Sequence, residues 1–547
     1  MKKVISCLLA AALAVSVSAP LAGAVYADVP ASSTLASEVE KASDYGLMNG
    51  YSASNFGYAD SITRAQFVTI LHRMFGWSGS GTHVAMYRIP GTMEVPNTLS
   101  DEYLYAIEQA AQRNIVDTSA AFRPNDPITR GEMAEMLVRA LGLGSAAAIS
   151  ERENRFTDVT SRSGFISVAY DIGMTKGLSD SAFGPDRTAT RAQAAAMLVR
   201  IYEKRQQELG FVHGFYAISS YNQLNFAQDM DAVSAGWSRM TWDGTAAALA
   251  TTSAGGNEYM IPSGYQSVTA SMDSGGIALN LNVFMDGQPL KEMLSSKDGR
   301  AQAVEQILKE VTISYQTIGK NPYSGVTIDF EGLRSSQKAD FTAFLTDLSA
   351  ALAAMDKTLY VCVSPVLASG SYYDGYDYEA IGKLADKVIL MAYDYEDRDM
   401  SSCLGAAYTV TTPTSPMDQV YWSLRSAAEQ IEPTKLLLGF SCKNIAWKID
   451  ENGRLAASVP IYPSNETVQQ RLSQASTTHG WSETYQTPYA IYTSEDGSRY
   501  FLWYEDSRSV QAKLDTAKLL GVTGVSLWRL GTLPMYSDWN WMNLLHS

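Results

Sequence analysis

The chain has 547 residues, roughly three times the length of an ordinary domain, so at least two domains are expected. A hydrophobic content of 46% with 10% aromatic residues excludes a disordered chain. The 42 basic and 57 acidic residues give a net charge of −15, which argues against binding of nucleic acid or anionic lipid through a broad basic surface.

The N-terminus has the pattern of a signal peptide. Two lysines precede the apolar run Val4–Val17, and small residues follow it at Ala22–Ala24 and at Val25–Ala27. The run is too short to span a bilayer comfortably, and no later apolar run reaches about eighteen residues. We therefore expect residues 1–27 to direct export and to be removed, and both small-residue sites are open to the peptidase.

Residues that commonly ligate metals are scarce. No Cys-x-x-Cys or His-Glu-x-x-His pattern occurs, and the five histidines are scattered. Cys7 leaves with the signal peptide, and the odd number that remains argues against a disulfide scaffold. The remaining cysteines are Cys362, Cys403 and Cys442. We therefore expect no metal site.

Three segments of the N-terminal region share one pattern. Each contains Thr-Arg-x-Gln/Glu before an apolar run with helical spacing, at Thr63–Gln66, Thr129–Glu132 and Thr190–Gln193. The threonine can cap free backbone amides, and the Gln or Glu three residues later can reach back, as in a capping box. The pattern predicts three helix–loop–helix units.

Capping does not explain the arginine that follows the threonine in every unit. Arg64, Arg130 and Arg191 stand where the helix dipole disfavours a cation. A guanidinium beside free helix amides would instead suit an anion. We therefore predict that these three arginines bind an anion.

The region from about 30 to 205 resembles three S-layer homology repeats, whose hallmark is a Thr-Arg-Ala-Glu-like motif. The Phe-x-Asp-Val opening is clear only in the third repeat, at Phe156–Val159, and is degenerate in the first two. We place the repeats at 28–85, 86–150 and 151–205. The resemblance implies a secreted protein that docks noncovalently, through these arginines, onto an anionic secondary cell-wall polysaccharide of a Gram-positive-type envelope.

From about residue 210 short β-rich runs alternate with helical stretches, which is typical of a parallel α/β fold. The number of strands fits a (β/α)8 TIM barrel over 210–547. The stretch 445–503 is too long for one loop and predicts a small α+β lobe inserted before the last strand. The eight predicted strands are Val212–Ser219, Ala235–Trp242, Ala278–Phe284, Gly325–Phe330, Leu359–Ser364, Lys387–Tyr393, Lys435–Phe440 and Gly524–Trp528.

The fourth predicted strand carries two carboxylates on one face. Because side chains alternate along a strand, Thr327, Asp329 and Glu331 face the barrel axis while the apolar residues between them face the helices. The carboxyl end of a barrel strand is the active-site face. Two carboxylates there would be costly to bury without a function, so we favour catalysis over an exposed acidic strand end.

Three motifs in order resemble glycoside hydrolase family 18, the chitinase-like barrels. Ser324–Glu331 looks like Asp-Gly-x-Asp-x-Asp-x-Glu, Met391–Tyr395 looks like Met-x-Tyr-Asp-Tyr/Phe, and Trp528 ends the last strand. Trp503–Asp506 is similar to the bacterial cell-wall and spore-associated branch. The resemblance covers about 210–545 and implies a glycosidase that needs no metal or organic cofactor.

The family mechanism implies a role for each matching residue. Glu331 would be the general acid, and Asp329 would stabilise the substrate's own 2-acetamido group as it attacks the anomeric carbon. Tyr393 would hydrogen-bond the acetamido oxygen. This mechanism retains the anomeric configuration and requires an N-acetylated sugar. The resemblance places four further residues at the substrate: Met391, Asp394, Trp528 and Thr327.

The sequence also departs from the family pattern. Ser324 and Thr327 replace the first two acids of the signature, and the usual Ser-x-Gly-Gly is absent from Ala278–Phe284. We expect the Thr327 hydroxyl to hydrogen-bond Asp329 and to leave that carboxylate ionised over a wider pH range than a neighbouring acid would.

The preferred interpretation is a wall-anchored glycosidase acting on a β-linked glycan that contains N-acetylglucosamine. Peptidoglycan is favoured as substrate because the anchor places the enzyme beside it, and chitin and host N-glycans remain open. The alternative is a chitinase-like surface protein that binds glycan without cleaving it, although such proteins usually lose the acid that Glu331 supplies here. A purely structural surface protein is a third possibility.

Overall fold

The structure, a computed structural model, describes residues 26–77, 99–151, 155–217, 219–368, 374–536 and 544. The predicted signal peptide lies outside these residues except for its last two positions. The described N-terminal region is helical, with helices α1 (Ala36–Asp44), α2 (Arg64–Phe75), α3 (Asp101–Gln112), α4 (Arg130–Ala140), α5 (Gly144–Ser150), α6 (Ser163–Asp171) and α7 (Arg191–Arg205).

The predicted capping boxes start α2, α4 and α7. In each helix the threonine oxygen accepts a backbone N–H from the third helical residue, whose side chain accepts the threonine N–H in return. Two of the four unsatisfied amides at each helix start are therefore paired locally. The sequence prediction of these three helix starts is confirmed.

The three helix starts close into a ring. The backbone N–H of Arg64 donates to Asp126 in the next unit, that of Arg130 to Arg187, and that of Arg191 back to Asp60. Each unit is therefore paired with both others through its Thr-Arg loop, and α1–α7 enclose one apolar core.

The first unit opens like the third. Asp158 accepts the backbone N–H groups of Phe183 and Gly184, and Asp28 accepts those of Phe56 and Gly57. The segment Tyr26–Val29 therefore corresponds to Phe156–Val159. The first opening therefore keeps the aspartate and the valine of the motif, with a tyrosine in place of the phenylalanine.

The second region contains the barrel. Its elements in chain order are β1 (Phe211–Tyr216), β2 (Ala232–Trp242), β3 (Ala247–Ala250), α8 (Tyr265–Gly275), β4 (Ala278–Met285), α9 (Gly287–Ser295), α10 (Lys297–Glu310), β5 (Gly325–Phe330), α11 (Lys338–Ala353), β6 (Thr358–Val363), α12 (Tyr378–Leu384), β7 (Lys387–Met391), α13 (Met417–Ala428), β8 (Leu436–Ser441), β9 (Ile445–Ile449), α14 (Asn465–Leu472), β10 (Thr478–Ser482), β11 (Thr487–Thr493), β12 (Arg499–Trp503), α15 (Ser507–Leu519) and β13 (Gly524–Trp528).

Within the described residues, eight parallel strands form a closed ring in the order β1, β2, β4, β5, β6, β7, β8, β13 and back to β1. The predicted TIM barrel is confirmed, and its strands coincide with the eight predicted ones. Three predictions run too far, because β1 ends at Tyr216, β6 at Val363 and β7 at Met391. After β7 the chain leaves the sheet at Asp394, whose φ of 63° is incompatible with an extended strand.

The inserted lobe lies between β8 and the last helix. Strands β9 to β12 form an antiparallel sheet in the order β10, β11, β12, β9, and α14 lies between β9 and β10. The predicted α+β insertion before the last strand is confirmed. It begins immediately after β8, so its first residues stand at the carboxyl end of the barrel.

The helical region and the barrel share an interface. The buried residues Met417 and Tyr421 of α13 and Leu519 of α15 belong to the same apolar cluster as the core of α1–α7. Polar contacts surround them, and both Arg425 and the Tyr421 hydroxyl reach the Asp171 carboxylate at 2.9 Å. Among the described residues, no helix combines the length and apolarity that crossing a membrane requires.

Candidate active site

The predicted carboxylate pair lies at the carboxyl end of β5. Asp329 is 2% exposed and points into the barrel, while Glu331, the first residue after the strand, is half-buried. The Glu331 backbone N–H donates to Met285 at the end of β4, which fixes the strand end next to its neighbour. Strand alternation therefore brings both acids to the active-site face, as predicted.

Burial changes the pKa of Asp329 and that of Glu331 by different amounts. It raises the pKa of Asp329 to about 6 and, together with the neighbouring Asp329 charge, raises the pKa of Glu331 to about 8. Two carboxylates this close resist double ionisation, so near neutral pH Asp329 is charged and Glu331 holds the proton. The carboxyl end of β5 therefore presents a protonated carboxyl group, that of Glu331, beside a carboxylate, that of Asp329.

Two residues of neighbouring strands support Asp329. The Asn282 amide on β4 donates to Oδ2 at 3.4 Å, and the buried Cys362 on β6 lies level with Asp329 in the strand register. Asp329 Oδ1 has no hydrogen-bond partner among the described residues. This oxygen is therefore a buried acceptor that can receive a donor from a ligand.

Thr327 does not support Asp329, contrary to the prediction. Its hydroxyl pairs with Ser234 on β2 at 2.6 Å, and Ser234 in turn contacts His213 at 2.8 Å. His213 reaches Ser526 on β13 at 2.7 Å, so the chain of polar groups crosses the barrel interior. Burial lowers the pKa of His213 to about 3, so the ring is neutral.

The predicted residues at the ends of β7 and β13 lie at the mouth of the barrel. The half-buried Met391 packs with Trp528 against the apolar side chains inside the ring. Burial, followed by the charges of neighbouring acids, raises the pKa of Tyr393 well above its usual value, so its hydroxyl keeps its proton. The Trp528 ring meets Phe215 edge-on at a centroid distance of 5.0 Å.

Asp394 belongs to an ion-pair network that the sequence did not predict. Lys443, at the start of the inserted lobe, donates to Asp394 Oδ1 at 2.9 Å and to Glu396 Oε1 at 3.0 Å. The Tyr462 hydroxyl of the lobe also donates to Glu396 at 3.2 Å. The lobe is therefore tied to the end of β7 through charged groups beside the barrel mouth.

A cavity of about 650 Å³ lies between the barrel and the lobe. Asp394 and Trp528 line it from the barrel, and Lys443, Asn444 and Tyr462 line it from the lobe side. Its volume falls within the range of small-molecule sites, and its walls combine one indole ring with several polar groups. This is the composition of a site for a polar ligand with an apolar ring face.

The three repeat arginines, which the sequence predicts to bind an anion, also make contacts between the repeats. Each guanidinium crosses to the next unit and donates through Nε to a phenylalanine carbonyl, from Arg64 to Phe122, Arg130 to Phe183 and Arg191 to Phe56. Each also stacks on the ring of that phenylalanine within 5.1 Å.

The three junctions differ in their further partners. Arg64 pairs with the Glu132 carboxylate, and Arg130 donates to Thr175 at 3.0 Å. Arg191 donates to the Asn49 carbonyl at 2.8 Å and lines a surface cavity of about 390 Å³. The arginines therefore hold the ring together, and only part of each guanidinium remains for a ligand.

Sequence reasoning missed the partners of the acids. Asn282, Cys362 and Lys443 come from strands and loops far along the chain, and no local motif marks them. The one available signal was Asn280-x-Asn282, two amides on the inward face of a predicted barrel strand. Among the described residues, no group of three or more His, Cys, Asp or Glu side chains could hold a metal ion.

Comparison with known families locates two kinds of domain in the chain. The model of Glycosyl hydrolases family 18 matches residues 282–532, which include the carboxylate pair and Trp528. The model of the S-layer homology domain matches three times, at 25–68, 95–134 and 155–195. Each match to the second model includes one Thr-Arg loop.

Individual relatives share one or the other part. The chain is 27% identical over 242 residues to a cortical fragment-lytic enzyme of Bacillus anthracis, covering 42% of this chain and 51% of the relative. It is 26% identical to a sporulation-specific glycosylase of Bacillus subtilis (strain 168), covering 43% and 56%. A middle cell wall protein of Brevibacillus brevis is 36% identical, covering 19% and 10%.

The first of these relatives are only partly spanned, since the chain covers about half of their length. Among solved structures, a spore cortex-lytic enzyme of Bacillus cereus is similar, with 19% identity, a TM-score of 0.48 and coverage of 61% of this chain and 73% of that one. The family matches identify the chain: it carries a domain of the Glycosyl hydrolases family 18 behind three S-layer homology domains.

Proposed function

We propose that this protein is a cell-surface glycosidase that hydrolyses a β-linked glycan containing N-acetylglucosamine, with retention of configuration. The observation that carries the proposal is the carboxylate pair at the carboxyl end of β5, where the buried Asp329 stands two residues before Glu331. Glu331, with its pKa raised to about 8, can donate a proton at neutral pH while Asp329, at about 6, remains an anion beside it.

The first step uses both acids. Glu331 protonates the glycosidic oxygen as its bond to the anomeric carbon breaks, and the substrate's acetamido oxygen attacks that carbon from the other face. A positively charged oxazolinium results. Asp329 accepts the acetamido N–H on its unpartnered Oδ1 and stabilises the developing charge. The protein supplies no nucleophile of its own.

The second step reverses these roles. The ionised Glu331 removes a proton from water, and the water oxygen attacks the anomeric carbon as its bond to the acetamido oxygen breaks. Two displacements at one carbon retain its configuration. Tyr393, which keeps its proton, donates to the acetamido oxygen, and the Trp528 face receives the sugar ring.

Met391 and Asp394 complete the sugar site in this proposal. Met391 packs beside Trp528 and shapes the floor, while Asp394, anchored by Lys443, accepts a sugar hydroxyl at the entrance of the cavity. Asp394 is held at a φ of 63°, a conformation unfavourable for a residue with a side chain, which is common where function fixes the backbone. In this proposal Thr327 acts through its hydrogen bond with Ser234 and the chain of polar groups inside the barrel.

Peptidoglycan is the substrate class that the relatives favour. Two of them are named for lysis of spore cortex fragments or for sporulation-specific glycosylase activity, and another is a cell wall protein. The S-layer homology domains would hold the enzyme at the cell surface by binding an anionic wall polysaccharide at the junctions around Arg64, Arg130 and Arg191. A secreted, wall-bound enzyme meets this polymer before any other.

Digestion of purified peptidoglycan and of N-acetylglucosamine oligomers tests the proposal. We expect new N-acetylglucosamine reducing ends by mass spectrometry, and at least about a thousand-fold slower release by Glu331→Gln, because the amide cannot donate the proton. Glu379→Gln, an exposed change on α12, serves as the matched control and should keep full activity. Binding of both glycans without any cleavage would instead support the non-hydrolytic alternative.

A further inference from the structure

We propose that Cys362 and Asn282 are the positioning residues of Asp329 and replace the acidic neighbour that the signature has lost in this chain. The inference rests on the proposed function of Asp329. Thr327 occupies the position of the missing acid, but its hydroxyl is committed to Ser234. Support for the Asp329 carboxylate must therefore come from the adjacent strands.

The strand register brings both residues to that carboxylate. On one side, β4 pairs with β5 so that Asn282 lies opposite Thr327, one inward position before Asp329. On the other side, β6 pairs with β5 so that Val361 lies opposite Ile328, and Cys362 is therefore level with Asp329. Both side chains are fully buried inside the ring.

Toward the ionised Asp329 carboxylate, which can only accept hydrogen bonds, both groups act as donors. Burial, followed by the charges of Asp329 and Glu331, raises the pKa of the Cys362 thiol well above its usual value, so the thiol keeps its proton. The Asn282 amide presents Nδ2. Both favour the ionised carboxylate and oppose the effect of burial. The Asn282 contact is made to Oδ2, and Oδ1 has no hydrogen-bond partner among the described residues, so one carboxylate oxygen remains for the substrate.

Other titratable groups also face Asp329. Burial raises the pKa of the three tyrosines among them, so they stay neutral in the working range. Glu331 is the neighbour whose charge changes within the working pH range, and a Glu331→Gln background removes the effect of that charge on the pKa of Asp329. The groups are Glu331 on β5, Cys362 on β6, Tyr259 after β3, Tyr376 after β6 and Tyr393 after β7.

The pH profile of kcat/KM on 4-nitrophenyl diacetylchitobioside separates positioning from packing. In Cys362→Ala the acidic limb should move to higher pH by about half to one unit, because a hydrogen bond to the anion is lost. Asn282→Ala should move it the same way. Cys362→Ser should restore at least half of the shift, since its hydroxyl also donates.

The control is Val363→Ala, which removes buried atoms from the outer face of the same strand. It should lower the melting temperature and leave the acidic limb in place. The inference would be overturned if the acidic limb stayed at its wild-type pH in both Cys362→Ala and Cys362→Ser. It would also be overturned if Val363→Ala moved the limb as far as Cys362→Ala does. If Cys362→Ala does not fold, the serine and Asn282 variants carry the test.

A second measurement needs no turnover. In Glu331→Gln, the pKa of folded Asp329 lies above its unfolded value, so its burial destabilises the protein as pH rises from about 4 to about 6. Adding Cys362→Ala should lower the melting temperature more above pH 6 than at pH 4. An equal loss at both pH values would contradict positioning. If this pH dependence appears but the wild type cleaves no glycan, the proposed function fails and the positioning stands.

Discussion

Asp329 and Glu331 stand two residues apart on one strand, and their environments assign them different protonation states. We expect kcat/KM to fall below about pH 6, where Asp329 becomes protonated, and above about pH 8, where Glu331 loses its proton. A profile measured with 4-nitrophenyl diacetylchitobioside checks this. A single limb without a fall near pH 6 would contradict the role of the Asp329 charge.

The carboxylate pair was predictable from sequence, but its support was not. A period of two along β5 is enough to place Thr327, Asp329 and Glu331 on one face. Which hydroxyl, thiol or amide meets them depends on the register of β2, β4 and β6, and a shift of one residue would turn each strand's other face inward. The single strand therefore could not show that Thr327 pairs with Ser234.

The contacts of Tyr26 favour one of the two predicted cleavage sites for the signal peptidase. Its ring packs against Phe56, and its hydroxyl contacts Ser43 and accepts the Gly50 N–H. Cleavage after Ala27 would remove this side chain from a buried position, so we predict cleavage after Ala24 and a mature chain that starts at Val25. Intact mass of the exported protein checks this, and a chain that starts at Asp28 would contradict it.

At the scale of elements, the helix starts illustrate what a motif does and does not reveal. The capping boxes of α2, α4 and α7 were predictable because cap and partner are three residues apart. The arginine partners were not, because each guanidinium reaches a different repeat, and only ring closure brings them together. The contacts show that each of these arginines has a structural role at a junction between repeats, which the motif alone did not reveal.

The three repeat arginines should therefore contribute to stability and, under the proposed function, to wall binding. Arg191→Ala leaves the carbonyls of Asn49 and Phe56 without these donors, at a cost of about 1–3 kcal/mol for each acceptor left unpaired. We expect a lower melting temperature and weaker co-sedimentation with isolated cell walls at a temperature where the variant is folded.

Arg200→Ala, an exposed change on the same helix, is the control and should alter neither property. The anchoring proposal fails if a folded variant with all three arginines changed to alanine still binds walls. It also fails if the 210–547 barrel alone binds them equally well.

At the scale of the whole molecule, the order of domains was predictable and their contact was not. Eight strands in sequence indicate a barrel, and repeated motifs indicate an array. The apolar faces of α13 and α15, however, do not reveal which surface covers them. In the structure they pack on the core of the helical region, with Asp171 bridged to Arg425.

Removal of Arg425 should weaken this interface. Burial raises the pKa of Asp171, and Arg425→Ala leaves that carboxylate with the Tyr421 hydroxyl as its remaining described hydrogen-bond donor. We expect a loss of about 3–5 kcal/mol in unfolding free energy at pH 7, as for a broken buried pair. Lys383→Ala, which breaks an exposed pair on α12, should cost less than about 1 kcal/mol in the same urea titration. Equal losses would contradict a stabilising interface.

The anomeric configuration of the first product tests the central claim most directly. Proton NMR recorded during the first minutes of hydrolysis of an N-acetylglucosamine oligomer distinguishes the β from the α anomer before mutarotation mixes them. Catalysis by Glu331 and the substrate's acetamido group, with Asp329 as the stabilising anion, predicts the β product from a β-linked substrate. An initial α product, or wild-type rates in Glu331→Gln, would contradict it.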